Sequence, residues 1–166
     1  MIGAGKNPEL RAAVLTVSDR AAAGALRDES GPAVRGLLEK AGFEVSVIKI
    51  LPDERQMIAQ FLATAASLHQ LVVTTGGTGL GPRDVTPEAT RSVLDYEVPG
   101  LAELMRASGL SNTPMASLSR SMAGVRGRTL IVNLPGSVAG ATQSLAAIAP
   151  VLKHAVQLLS GDTGRH

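Results

Sequence analysis

Two carboxylates and a glycine-rich loop are the parts of this sequence best suited to chemistry. The stretch "TTGGTGLGPRDVTPEAT", residues 74–90, holds four glycines and Asp84 between a β-branched run and a helical pattern. Glycine loses more backbone entropy on ordering than any other residue, so a cluster of glycines indicates close approach of the backbone to a ligand. Asp53 follows another β-branched run, in "LPDE".

The ligand that such a loop favours is a phosphate, because glycine frees backbone N–H groups and a helix N-terminus attracts anions. The loop is not a Walker A motif, since it ends in Gly81, Pro82, Arg83 and Asp84. Nor is it a dinucleotide fingerprint, because Pro82 stands where the third glycine is required. A tight strand-to-helix turn without a ligand remains an equal alternative for the loop taken alone.

The two carboxylates favour a metal-bound nucleotide. If Asp53 and Asp84 lie on the same edge of a sheet, they repel each other and any bound phosphate unless a hard cation such as Mg²⁺ neutralises them. Each also has a simpler interpretation. Asp53 is an N-cap candidate for a helix starting at Glu54, and Asp84 a candidate for a surface ion pair with Arg83 or Arg91.

A second loop, "NLPGS" at residues 133–137, repeats the arrangement of strand, proline, glycine and helix start. Ser137 is predicted to cap the following helix, as Thr86 is predicted to cap the helix after the glycine loop. Facing the first loop, the second could hold another part of the same ligand. The histidines at 69, 154 and 166 have no partners at metal-binding spacing, so no metal is assigned to histidine.

The elements that must position these loops alternate between strands and helices. Strands are predicted at 11–19, 44–53 and 71–77, helices at 30–43, 54–70 and 99–109, a hairpin or bend at 119–136, and a final helix at 137–160 that is kinked or broken at Pro150. This order predicts a three-layer α/β fold: a doubly wound, mostly parallel sheet with helices on both faces and a small hairpin insertion. In such sheets ligands bind at the carboxyl ends of the strands.

Composition narrows the class of protein. With 166 residues, 45% hydrophobic and 18% charged, the chain fits a single domain over 1–166. No apolar run is long enough to cross a membrane, and the lack of cysteine and of a signal peptide favours a cytoplasmic protein. The basic residues are scattered and the net charge is only +2, which argues against a nucleic-acid partner.

The motifs taken together resemble the molybdopterin adenylyltransferases of molybdenum cofactor biosynthesis, the MogA/MoaB type. The similarity extends from about Ala12 to Ser160 and rests on the motifs "TVSDR", "DESGP", "LPDE", "TTGGTGLGPRDVTPEAT", "LSR" and "GVRGRTLIVNLPGS" in this order. It implies transfer of AMP from Mg-ATP to the terminal phosphate of molybdopterin, with release of pyrophosphate. A downstream molybdate-insertion protein is an implied partner.

The resemblance also implies roles for individual residues. Asp53 and Asp84 become the catalytic pair and the tentative Mg²⁺ ligands. The nucleotide and substrate contacts fall on Thr75, Gly76, Gly77, Thr78, Gly79, Asn133, Pro135, Gly136 and Ser137. Weaker candidates for the pterin phosphate are Ser117, Ser119 and Arg120. Two other functions stay open: a nucleotide-pyrophosphate hydrolase of the same fold, in which water is the acceptor, and a pterin-binding scaffold without catalysis.

The assembly state is the first testable expectation. The resemblance implies a homotrimer, or a hexamer made of two trimers, and the segment 95–125 is rich in Leu, Met and Ala with few charges, as an interface requires. Multi-angle light scattering at micromolar concentration should therefore report three or six times the mass of the chain. A monomer under these conditions would contradict the expectation.

Overall fold

The computed structural model describes residues 9–162. Its strands are β1 (Arg11–Val17), β2 (Glu44–Leu51), β3 (Leu71–Thr75), β4 (Tyr96–Glu97), β5 (Ala123–Arg126) and β6 (Thr129–Leu134). Its α-helices are α1 (Asp19–Ala22), α2 (Ser30–Lys40), α3 (Arg55–Ala66), α4 (Thr86–Arg91), α5 (Pro99–Leu110) and α6 (Val138–Ser160), and a 3₁₀ helix covers Pro114–Leu118.

The described strands form one six-stranded sheet in the order β2-β1-β3-β6-β5-β4. The first four are parallel to one another, whereas β5 and β4 are antiparallel additions at one edge. The predicted hairpin is β5 and β6, and its second strand does return to the centre of the sheet, beside β3. The fold-class prediction is confirmed. The two-residue β4, the short α1 and the 3₁₀ helix were not predicted.

Helices cover both faces of the sheet, and each face has its own apolar core. Residues of β1 alternate between the two cores, with Ala12 and Val14 on one face and Ala13 and Leu15 on the other. Helices α2, α5 and α6 pack on the first face, and α3 and α4 on the second. This alternation is the two-residue period of a strand buried on both sides, which explains the apolar runs of the sequence.

Helix α6 is continuous over 23 residues with Pro150 inside it, so of the two predicted alternatives, a kink or a break at Pro150, the break is wrong. Proline removes one intrahelical hydrogen bond and crowds the preceding turn. The helix persists because it buries a long apolar stripe against the sheet, formed by Leu145, Ile148, Leu152 and Val156. Among the described residues, no helix has the length and apolar character needed to cross a membrane.

Candidate active site

Two cavities open at the carboxyl ends of the parallel strands, on either side of the glycine loop. The first, here called the β1 cavity, has a volume of about 520 Å³ and is lined by the end of β1 and by residues after it, including Thr16 and Ser18. The second, the α5 cavity, has a volume of about 440 Å³ and is lined by Met105 and Arg106 of α5 and by the 3₁₀ helix. The two cavities share four lining residues: Gly77, Asp84, Gly136 and Ser137.

Most of the predicted site residues line one of these cavities. Asp53, Thr75 and Gly76 line the β1 cavity, and Thr78, Gly79, Pro135 and Ser119 line the α5 cavity. Asn133, Ser117 and Arg120 line neither. The structure thus brings the carboxylates, the glycine loop and the "NLPGS" loop together, whereas the side chains of these three candidates lie outside the cavity linings.

The glycine loop begins with two left-handed residues whose conformation the surrounding chain requires. Gly76 has φ of 96°, and a Cβ there would lie 2.2 Å from the carbonyl oxygen of Val17. Gly77 has φ of 67°, and its Cβ would lie 2.2 Å from Oγ1 of Thr86. Packing within the chain therefore accounts for these two glycines, in line with the tight-turn alternative. Gly79 is different, because the group that its Cβ would meet is the carboxylate of Asp84, at 2.9 Å.

Thr86 does not cap the helix that it begins, which contradicts the sequence-based expectation. Val85 occupies the cap position, and no side chain caps the helix there. The Thr86 hydroxyl instead donates to the carbonyl of Gly76 (2.9 Å), and its N–H donates to the carbonyl of Gly77 (3.1 Å). Thr86 is buried and fastens the start of α4 to the turn of the glycine loop.

Asp53 is not a helix cap either. Glu54 occupies the cap position of α3, again without a side-chain hydrogen bond. Asp53 exchanges two hydrogen bonds with Asp19: the N–H of Asp19 donates to Oδ2 of Asp53, and the N–H of Asp53 donates to Oδ1 of Asp19, both at 3.0 Å. This reciprocal pair joins the end of β2 to the end of β1 and fixes the Asp53 carboxylate at the wall of the β1 cavity.

Asp84 lines both cavities and forms no ion pair with its neighbouring arginines. Its Oδ2 accepts the N–H of Gly81 at 2.8 Å. Arg83 forms a bidentate pair of hydrogen bonds to the carboxylate of Asp19 (3.0 Å each) and a third hydrogen bond to Glu54 (3.1 Å). Arg91 pairs with Glu97. The surface-pair alternative for Asp84 is therefore wrong.

The electrostatics of the two carboxylates favour a positive charge between them. Burial raises the pKa of Asp53, and the carboxylates of Asp19 and Asp84 raise it further, while the N–H of Asp19 and the guanidinium of Arg83 act in the opposite direction. The hydrogen bond from Arg83 lowers the pKa of Asp19. Asp53 is thus held partly desolvated beside a second carboxylate, an arrangement that a cation stabilises.

The donor set fits Mg²⁺ bound together with a phosphate ligand. Over residues 9–162, no three His, Asp or Glu side chains are grouped so as to hold a metal ion. Mg²⁺ typically binds one or two carboxylates and takes its remaining ligands from water and substrate phosphates. Asp53 and Asp84 supply the number of carboxylates that this mode requires.

The "NLPGS" loop packs against the glycine loop and starts α6. The Thr75 hydroxyl donates to the carbonyl of Pro135 (2.8 Å), and a Cβ on Gly136 would lie 3.2 Å from Cα of Gly76. Ser137 caps α6 through a hydrogen bond from the Gly140 N–H (3.0 Å), as predicted. Since Gly136 and Ser137 line both cavities, the N-terminus of the longest described helix faces the place where the cavities meet.

Asn133 has a structural position rather than a ligand-facing one. Its side chain is fully buried, and its amide donates to the hydroxyls of Thr74 (3.0 Å) and Thr90 (2.9 Å). It therefore joins β6 to β3 and α4 beneath the site. The side chain is buried away from both cavities, and a contact between Asn133 and a nucleotide stays a prediction.

All three guanidinium nitrogens of Arg120 bind groups of the protein, two of them at the glycine loop. Its Nε donates to the carbonyl of Gly79 and its Nη2 to the carbonyl of Asp84, both at 2.8 Å, while Nη1 pairs with Glu88. The guanidinium that the resemblance implied for the pterin phosphate thus joins the two ends of the segment 79–84 through their carbonyls. Ser117 donates to the carbonyl of Pro114 on the 3₁₀ helix and lines neither cavity.

The fold and the site define an α/β protein with two cavities at the carboxyl ends of its parallel strands. Residues 13–154 match the family described as the probable molybdopterin binding domain, and the chain belongs to this family. The resemblance predicted from the sequence is confirmed.

Relatives of similar length carry enzyme names. The chain is 41% identical over 153 residues to the molybdopterin adenylyltransferase of Helicobacter pylori strain J99, covering 90% of the chain and 87% of that protein. It matches the crystal structure of the molybdopterin biosynthesis enzyme MoaB of Thermus thermophilus with a TM-score of 0.87 and 55% identity, covering 92% and 97% of the two chains.

Longer relatives also contain this unit. The Drosophila melanogaster molybdenum cofactor synthesis protein cinnamon is 41% identical over 152 residues, which is 90% of this chain but 25% of that protein. The chain thus spans about a quarter of the length of this relative, and the share is 23% for the gephyrin of Dictyostelium discoideum.

The position of the Asp84 carboxylate can be tested through Gly79. In Gly79→Ala the new methyl group displaces the end of a short side chain rather than backbone, so the variant should fold with a melting temperature close to that of the parent. Ligand-dependent activity should fall, because the carboxylate moves. Gly36→Ala is the matched control: it lies within α2 with nothing inside 4 Å of the new Cβ, and should be neutral or stabilising by roughly 0.5–1 kcal/mol. If Gly79→Ala kept the activity of the parent, as Gly36→Ala is expected to, the position of the Asp84 carboxylate would be shown to be unimportant for that activity.

The desolvation of Asp53 predicts that the site lowers stability at neutral pH. A carboxyl group with a raised pKa in the folded protein destabilises the fold once pH exceeds its ordinary value, and this cost is absent at lower pH. Asp53→Asn should therefore melt at a higher temperature than the parent at pH 7. The difference should vanish below about pH 4, where the carboxyl group is protonated in both states. A lower melting temperature at pH 7 would show that the hydrogen bond from Asp19 outweighs the cost of burial.

Proposed function

We propose that the protein is a nucleotidyltransferase of molybdenum cofactor biosynthesis that transfers AMP from Mg-ATP to the terminal phosphate of molybdopterin. The observation that carries this proposal is the pair of cavities meeting at Gly77, Asp84, Gly136 and Ser137. A transfer between two substrates requires two binding sites with a common boundary, where the reacting groups meet. The name molybdopterin adenylyltransferase, which relatives of similar length carry, supports molybdopterin as the acceptor of an adenylyl group, and ATP as its donor is part of the proposal.

In this reaction an oxygen of the pterin's terminal phosphate attacks the α-phosphorus of ATP. The bond between the α-phosphorus and the oxygen bridging to the β-phosphate breaks, and pyrophosphate leaves with that electron pair. The chain contributes mainly position and electrostatics. Backbone N–H groups of the glycine loop and of the α6 N-terminus would hold phosphate oxygens at the boundary of the two cavities.

Asp53 and Asp84 would hold Mg²⁺ together with the nucleotide, since Asp84 lines both cavities and Asp53 lines the β1 cavity beside the shared residue Gly77. When bound, the ion neutralises the charge that develops on the pyrophosphate. The reciprocal hydrogen bonds with Asp19 keep the Asp53 carboxylate in place, and Gly81 does so for Asp84. Over residues 9–162, neither carboxylate is paired with an arginine in direct contact.

The decisive experiment measures transfer of labelled AMP to molybdopterin with and without Mg²⁺. Asp53→Asn and Asp84→Asn should each lower the transfer rate by roughly 10²- to 10³-fold, or about 3 to 4 kcal/mol, by analogy with the loss of one preorganised electrostatic group. If both act through one ion, the double variant should lose much less than the product of the two single losses. Binding of molybdopterin should survive, because a negative charge beside its phosphate has been removed.

Asp95→Asn is the matched control, because its Oδ2 accepts the N–H of a glycine, Gly127, as Asp84 accepts that of Gly81, but at the remote hairpin. Its transfer rate should equal that of the parent. Hydrolysis of ATP without pterin would favour the pyrophosphatase alternative, and tight pterin binding without any turnover would favour the scaffold. A double variant that transfers AMP at the parental rate would refute the assignment of the carboxylates.

A further inference from the structure

Arg106 lines the α5 cavity and is the arginine there that the fold does not neutralise. Its Nη1 donates to the backbone carbonyls of Ser121 (2.9 Å) and Ser119 (3.3 Å). Among the described residues, no carboxylate lies within ion-pair distance of it, and the structure records no acceptor for its Nε or Nη2. A partly buried guanidinium therefore keeps its full charge and three of its five N–H donors.

Arg83 and Arg120, which lie in and beside the glycine loop, are already bound to other groups of the protein, and Arg27 lines the β1 cavity rather than the α5 cavity. Arg83 is bound to Asp19 and Glu54, and Arg120 is bound to Glu88 and to two loop carbonyls. Neither lines the α5 cavity or the β1 cavity. An anion entering the α5 cavity thus meets one guanidinium with free donors.

The carbonyl contacts of Arg106 hold it in position without neutralising its charge. Bonds to two backbone carbonyls restrain Nη1, and the remaining edge of the guanidinium is then available for a bidentate bond to a phosphate. The same cavity is also lined by Gly77 and Gly79 of the glycine loop, and by Ser137 at the α6 N-terminus. Anion-binding groups from three separate parts of the chain therefore surround one space.

We propose that Arg106 is a substrate-binding residue that takes a phosphate group in the α5 cavity through its free guanidinium edge. The proposal rests on the proposed function, which supplies two phosphate-bearing substrates, ATP and molybdopterin. The shared chemistry is a phosphate oxygen, and binding measurements with each substrate separately distinguish the two sources. In this proposal Arg106 takes the phosphate-binding role that the resemblance implied for Arg120, which lies outside the cavity lining and pairs with Glu88.

The test compares Arg106→Met and Arg106→Lys with Arg126→Met. Met keeps the apolar stem and removes the charge, whereas Lys keeps the charge without the planar fork. Arg126 is the matched control because its Nη1 also donates to a backbone carbonyl, that of Val93 (2.8 Å), but it lines neither cavity. Light scattering and melting temperature are recorded for every variant, so that a change in assembly or folding is detected.

Calorimetry measures the affinity for Mg-ATP, for molybdopterin and for inorganic pyrophosphate, without turnover. Arg106→Met should weaken one of the two substrates by roughly ten- to hundredfold, the loss expected for one charge-assisted hydrogen-bonded contact, and Lys should restore part of it. The weakened substrate identifies the phosphate that Arg106 binds, and the affinity of that substrate should lose part of its dependence on salt. Arg126→Met should bind all three ligands as the parent does.

Two results would overturn the proposal. One is unchanged affinity for both substrates in Arg106→Met. The other is an equal loss for both substrates that follows the melting temperature and is not restored by Lys, since this is the behaviour of a residue that only supports the backbone at Ser119 and Ser121. If the parent binds these ligands but does not transfer AMP, the proposed function fails while the binding role of Arg106 is still decided.

Discussion

The site depends on the close packing of Gly76 between the ends of neighbouring strands. Its N–H donates to the carbonyl of Leu134 at the end of β6, and its α-carbon lies so near the end of β1 that a side chain would overlap with Val17. Its own carbonyl accepts the Thr86 hydroxyl from the start of α4. One left-handed glycine thus joins β1, β3, β6 and α4, which is why the loops from these elements meet in one place.

This packing leaves the carboxylates in an unfavourable environment that the rest of the fold tolerates. Asp53 is partly desolvated and lies near Asp19 and Asp84, so three negative groups occupy one edge of the sheet. Two apolar cores with many fully buried side chains offset such a local cost. A site that binds charged ligands is expected to lower the stability of the ligand-free protein, because the charges that stabilise its carboxylates arrive only with the ligand.

The sequence predicted features that depend on local pattern, such as the alternating strands and helices, and missed those that depend on tertiary partners. Ser137 was a correct cap because its partner, the N–H of Gly140, lies three residues away. Thr86 and Asp53 had the same local pattern, but the Thr86 hydroxyl binds the carbonyl of Gly76, ten residues earlier at the other end of the same loop. Asp53 binds the N–H of Asp19, which the neighbouring strands β1 and β2 bring close. Asn133 lies near the end of a strand that is buried on both faces, so its amide must find buried partners there.

The arginines carried no sequence signal, because scattered guanidiniums are equivalent in a sequence and differ only in the acceptors that surround them. Arg83 lies within the segment 79–84 and pairs with acidic side chains outside it, whereas Arg120 binds the backbone carbonyls at both ends of the segment and the carboxylate of Glu88. If either guanidinium contacted the carboxylate of Asp84 directly, it would compete with a metal ion for that charge. By binding carbonyls and the outer carboxylates instead, the arginines fix the position of the loop and leave Asp53 and Asp84 able to attract a cation.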